Sequence, residues 1–79
     1  MTNLESYNQV FMDSFNVEES QLSDLIYQSV MTWDSVGHMA MIATLEEVFD
    51  IMLDTDDIID FSGYEKGKEI LTKNYGIEF

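Results

Sequence analysis

The sequence predicts an all-α fold, a four-helix bundle with three longer helices, one short third helix, and a long loop between the first and second. Three observations predict it. Proline is absent from all 79 residues, so only glycine, caps and loss of periodicity can interrupt a helix. Apolar residues recur at helical spacing. Cap-type residues stand just ahead of the periodic stretches.

The first helix is expected over residues 3 to 15, where Thr2 with Glu5 fits a capping box and Leu4, Tyr7, Phe11 and Phe15 fall on one stripe. From Asn16 to Trp33 the period weakens. Ser20, Ser23 and Asp24 offer local hydrogen bonds, while Val17, Leu22, Leu25, Ile26 and Val30 supply apolar anchors. A loop this long is uncommon in a compact domain, so it either hides a short helix near residues 22 to 28 or serves a purpose. The second helix begins with Asp34 as N-cap and runs to Phe49 or Asp50, interrupted by nothing but Gly37. Thr55 to Ile59 fits one short helical turn. The last helix, residues 63 to 75, is expected to open on a Ser62–Glu65 capping box, to turn Tyr64, Ile70 and Leu71 inward, and to end at Gly76.

The second helix is apolar on two sides. At about 100° per residue, Met41, Ile42, Leu45, Val48 and Phe49 share one sector, the expected core face. Val36, Met39, Ala40 and Ala43 gather nearly opposite, bordered by Glu46 and Glu47. A small bundle either surrounds this helix or leaves the second sector exposed. An exposed patch of small and flexible apolar residues with an acidic rim suits brief docking of basic partners.

Composition limits what the chain does. One domain over residues 1–79 buries about 60% of its unfolded surface, which leaves little room for a deep active site. No cysteine is present, so disulfides, thiolate ligands and a cysteine nucleophile are excluded. Sixteen acids against Lys66, Lys68 and Lys73 give a net charge of −13, which repels nucleic acid and anionic lipid and favours basic protein surfaces or cations. The first residues lack the basic and apolar regions of a signal peptide, and no apolar run approaches the roughly 18 residues of a membrane span, so a cytoplasmic monomer without membrane insertion is expected.

Ser35 stands at the first position of the second helix, where free backbone N–H groups and the helix dipole favour a bound phosphate. Taken alone, a serine there is usually a cap. Asp34-Ser35-Val36, followed ten residues after the serine by Leu45-Glu46-Glu47-Val48-Phe49-Asp50, resembles the acyl carrier protein family, whose pattern is Asp-Ser-Leu or a relative and then Leu-Glu-Glu-x-Phe. Length, acidity, the long first loop and the four-helix reading extend the resemblance over essentially the whole chain. It implies an acyl-carrier-type bundle in which Ser35, beside Asp34, receives 4′-phosphopantetheine from coenzyme A, in a magnesium-dependent reaction of a separate phosphopantetheinyl transferase. It also implies that the chain is no enzyme but a substrate of others, carrying acyl groups as thioesters between acyl-loading and acyl-accepting enzymes with basic docking surfaces. Val36, Ala43, Glu46 and Glu47 are the implied partner contacts. The family shelters short acyl chains between its helices, and Met39, Met41, Leu45, Phe49, Leu53, Ile58 and Phe61 could line such a space, although a role as core explains them as well.

The chain departs from carriers of fatty acid synthesis, which commonly place acids two and five residues after the serine, where Gly37 and Ala40 stand here. Carriers with Trp-Asp-Ser resemble standalone members of specialised pathways, such as polysaccharide, polyketide or lipopeptide assembly. Peptidyl carriers usually place glycines before the serine, where this chain has Met31-Thr32-Trp33-Asp34; an aminoacyl cargo is less favoured but stays open. His38, one turn from Ser35, suggests a serine–base pair, yet no orienting group or oxyanion hole accompanies it, and a packing or capping role is the better reading. Asp54, Asp56, Asp60, Ser62 and Glu65 echo a calcium-loop pattern, which fails at Ile58 and Ile59, so no metal site is assigned. An unmodified acidic helical adaptor is the remaining alternative.

Overall fold

Thr2 and Glu5 close the expected capping box. Thr2 Oγ1 accepts from the Glu5 amide at 3.1 Å, and Glu5 Oε1 accepts from the Thr2 amide at 2.9 Å. This opens helix α1, Asn3–Phe15, in a computed structural model that describes residues 1–79. Asn16, in the left-handed region at φ 55°, ends it, a conformation asparagine tolerates better than most residues. The buried face is Tyr7, Val10, Phe11 and Phe15. Leu4 is exposed, because burial begins only at Tyr7, and Val10 fills the face in its place.

Three more helices follow: α2, Ser35–Phe49; α3, Thr55–Asp60; and α4, Tyr64–Tyr75. There is no strand, and the one β-type contact is an isolated antiparallel bridge between Ile26 and Gly63. No helix is long and apolar enough to cross a membrane.

The loop between α1 and α2 holds a 3₁₀ helix at Glu19–Asp24, earlier than the expected residues 22 to 28. The local reason is its cap: the Glu18 amide donates to Gln21 Oε1 at 2.8 Å, and the Gln21 amide donates to the Glu18 carbonyl at 2.9 Å. Leu22 and Leu25 anchor the loop in the core, whereas Ile26 is exposed, because it is held by the bridge to Gly63 and not by its side chain.

The same bridge overturns the expected start of α4. Tyr27 N–H donates to the Ser62 carbonyl at 2.8 Å and Tyr64 N–H to the Leu25 carbonyl at 2.9 Å, so the chain stays extended through Gly63, which becomes the N-cap without any side-chain cap bond. The Ser62–Glu65 box does not form. Gly76, at φ 68°, ends α4 as expected.

The core is aromatic. Tyr7, Phe11, Phe15, Trp33, Phe61 and Tyr64 are all buried, with Phe15 stacked on Trp33 at 4.7 Å between ring centres. From α2, Met41, Ile42 and Leu45 enter this core. Phe49 is half-buried, and Val48, expected inside, is exposed beside a groove between α1 and α2 that Val10 and Thr44 also line. Of the residues suggested to line a space for cargo, Met41, Leu45, Leu53 and Phe61 are buried in the packed core, Ile58 is half-buried, and Met39 faces solvent.

Candidate functional site: the start of helix α2

The loop folds back on itself just before α2. Gln28, left-handed at φ 67°, donates its N–H to the Trp33 carbonyl at 3.0 Å, and Thr32 Oγ1 donates to the Phe15 carbonyl at 2.9 Å. Trp33 is thereby driven into the core at 0% exposure, and the chain emerges at Asp34 in extended geometry. Asp34 is the N-cap: its Oδ1 accepts from the Gly37 amide at 2.8 Å, and its carbonyl accepts from the His38 amide at 2.8 Å.

Ser35 therefore need not cap anything. It is exposed at the first position of α2, the cap bond being Asp34's and the loop's being Thr32's. A hydroxyl on this corner faces solvent beside the positive end of a 15-residue helix. The adjacent Asp34 carboxylate is turned onto the Gly37 amide, so the capping role falls to it and not to the Ser35 hydroxyl.

Gly37 explains itself here. A Cβ at this position would lie closer to the Thr32 carbonyl oxygen than the 3.0 Å that real Cβ atoms keep. The glycine lets the loop lie against the first turn of α2, so its place in the Asp34-Ser35-Val36-Gly37 run is steric.

Beyond the corner, Val36, Ala40, Ala43 and Glu47 recur at helical spacing and are all exposed, Val36 at 77%. Met39, at 53%, borders them. Glu46, the other expected acidic contact, also has a bond within the fold. It is half-buried, and its Oε2 accepts from the Leu53 amide at 2.9 Å, fixing the chain as it leaves α2. Burial of Leu53 brings that amide within reach of Glu46, so this carboxylate has a partner inside the fold while Glu47 has none.

His38 is half-buried and holds two bonds. Trp33 Nε1–H donates to its Nδ1 at 3.0 Å, and its Nε2 lies 2.8 Å from the Ile58 carbonyl of α3. Its ring stands 5.5 Å from that of Tyr27 and 6.2 Å from that of Phe61. A recess of about 120 Å³ beside it is lined by Tyr27, His38, Ile59, Phe61 and Ser62. The Trp33–His38 pair was not visible in the sequence, because a five-residue separation across a loop–helix corner has no period to reveal it. The presence of the only tryptophan and the only histidine five residues apart was the one available signal.

No three His, Asp or Glu side chains gather as a metal-holding group, and Asp57 of the acidic 54–60 segment is engaged by Tyr75 and Asn74. No protein-family model, characterised protein or solved structure matches the chain.

Proposed function

We propose that this chain is an acyl carrier protein, modified at Ser35 with 4′-phosphopantetheine and acting as a substrate of other enzymes. The observation that carries the reading is an exposed serine, relieved of capping duty by Asp34, at the N-terminus of a helix whose outer stripe is apolar and acid-edged. The bound arm would supply a thiol for thioester formation. The chain's own residues do the rest: Asp34 holds the corner, first-turn amides and the helix dipole favour the phosphodiester, and Val36, Ala43 and Glu47 offer a surface to basic partners. The four helices, with a short α3 and the long loop before α2, suit an acyl-carrier-type bundle.

The exposed stripe by itself favours a second reading, an adaptor that binds a partner through α2 and is never modified. Intact mass separates the two. Incubated with coenzyme A, magnesium and a broad-specificity phosphopantetheinyl transferase, the chain gains one phosphopantetheinyl group and Ser35→Ala gains none. A folded, initially unmodified sample that gains nothing with several transferases overturns the carrier reading and leaves the adaptor.

A further inference from the structure

Ser35 stands between two exposed thioethers. Met31, 96% exposed, lies four residues before it, and Met39, 53% exposed, lies four residues after it on the same helix. Four residues of chain reach no more than about 14 Å, and four residues of helix rise about 6 Å, so both side chains fall inside the roughly 800 Å² that a protein partner of ordinary size covers. The loop that carries Met31 is tied down. Trp33 N–H donates to the Val30 carbonyl at 3.1 Å, Thr32 Oγ1 to the Phe15 carbonyl at 2.9 Å, and Ser29 Oγ to the Ile26 carbonyl at 2.7 Å. A fastened loop thus holds in water an apolar side chain that adds nothing to the core.

This stretch of chain is also short of charge. Between Asp24 and Glu46 the only acid is Asp34, already turned onto the Gly37 amide, and there is no lysine. A protein surface that closes over Ser35 therefore meets Met31, Val36 and Met39, and finds its charge complement further off, at Glu47 and in the field of a chain of net charge −13. Two of those three apolar contacts are methionine, whose unbranched thioether adapts to a partner and which peroxide turns from apolar to polar. No cysteine is present to be oxidised first, and the only tryptophan is fully buried.

We propose that Met31 and Met39 are an oxidation-sensitive pair of partner contacts: as thioethers they seat the apolar surface of the phosphopantetheinyl transferase around Ser35, and as sulfoxides they turn it away. The oxidant is a peroxide. A sulfur lone pair attacks one peroxide oxygen, the S–O bond forms as the O–O bond breaks, and the attacked oxygen passes its proton to the departing one, which leaves as water. Sulfur loses two electrons and the peroxide gains them. A methionine sulfoxide reductase reverses the step with two electrons from a dithiol, the oxygen again leaving as water. The effect on loading rests on the proposed modification of Ser35; the pattern of oxidation does not.

The chain alone is treated with hydrogen peroxide, the peroxide is destroyed, and peptide mass mapping locates the added oxygen. The exposed Met31, Met39 and Met52 each gain one oxygen, Met41, at 0% exposure, gains none, and the urea midpoint stays where it was. Loading with coenzyme A, magnesium and a broad-specificity transferase is then followed by intact mass at several concentrations of the chain. Treatment raises KM for the chain several-fold and leaves kcat nearly unchanged. Met31→Leu combined with Met39→Leu, which keeps the apolar contacts and resists peroxide, loads like the untreated chain before and after treatment. Met31→Gln combined with Met39→Gln, polar without any oxidant, loads like the treated chain. Met52→Leu remains sensitive, because Met52 lies beyond the far end of α2 from Ser35. Oxidation that spares Met31 and Met39, an unchanged KM after treatment, or a leucine pair that stays sensitive overturns the proposal. An untreated chain that no transferase loads removes the reading of Ser35 itself, and the switch falls with it.

Discussion

Asp34 and Ser35 are adjacent yet divide the work of the corner, one shaping it and the other presenting a hydroxyl. Asp34→Ala removes the bond to the Gly37 amide and is expected to cost about 1 kcal/mol, the usual value of an N-cap. Ser35→Ala touches no cap and is expected to change stability by less than about 0.5 kcal/mol while abolishing loading. Urea unfolding of both variants tests this division, and a destabilised Ser35→Ala would show that the hydroxyl holds the fold after all. Gly67 is the most constrained glycine in the core. A methyl there would overlap the Phe61 ring and the Tyr7 hydroxyl, both at 0% exposure. Because neither aromatic has free space to enter, Gly67→Ala should lower stability by about 1–3 kcal/mol, read as an earlier urea midpoint.

At the scale of elements, α1 and α4 are joined through tyrosines. Tyr7 Oη donates to the Tyr64 carbonyl at 2.7 Å, and Tyr64 Oη donates to Asn8. Burial, with Tyr64 and Glu65 as lesser contributors, pushes the Tyr7 phenol far above its ordinary range; burial and the nearby Glu65 and Glu19 raise Tyr64 as well. Both groups hold their protons more firmly folded than unfolded. Their contribution is thus whole below about pH 10 and is lost as pH rises past it. Unfolding free energy should fall steeply above about pH 10, and Tyr7→Phe, which costs about 1 kcal/mol at neutral pH for its lost bond, should flatten that fall. An equally steep fall in the variant would place the cause elsewhere. How far such features were legible depended on whether they had a period or a local signature. The spans of α1 and α2, the caps at Thr2 and Asp34, and the two apolar faces of α2 follow from spacing within one helix. The Ser62 cap was misread because its rival is non-local: the bridge between residues 26 and 63 keeps Gly63 extended and takes the Ser62 carbonyl. The internal bond of Glu46 was hidden for the same reason, since its partner, the Leu53 amide, lies beyond the helix end. Of the candidate site, Ser35, Asp34 and the outer stripe were legible; the steric need for Gly37 and the Trp33–His38 bond were not, because both arise where the loop folds back over the first turn.

At the scale of the whole molecule, charge is the dominant unbalanced term. A net charge of −13 sits on a body with a radius of gyration of 11.3 Å, and the only ion pairs are Lys68–Glu65 and Lys73–Glu69 within α4. Exposed pairs of this kind contribute about 0–1 kcal/mol each, so they offset little of the repulsion among sixteen acids. Unfolding lets those charges move apart, and the repulsion therefore acts against the folded state. Screening at about 150 mM salt shortens the Debye length to about 8 Å, less than the radius of gyration, and weakens repulsion across the molecule more than the short α4 pairs. The melting temperature should accordingly rise from low salt to about 150 mM sodium chloride, and rise further with millimolar magnesium, whose double charge screens more strongly. A melting temperature that stays level across this series would mean that the folded chain feels its charge no more than the unfolded one does.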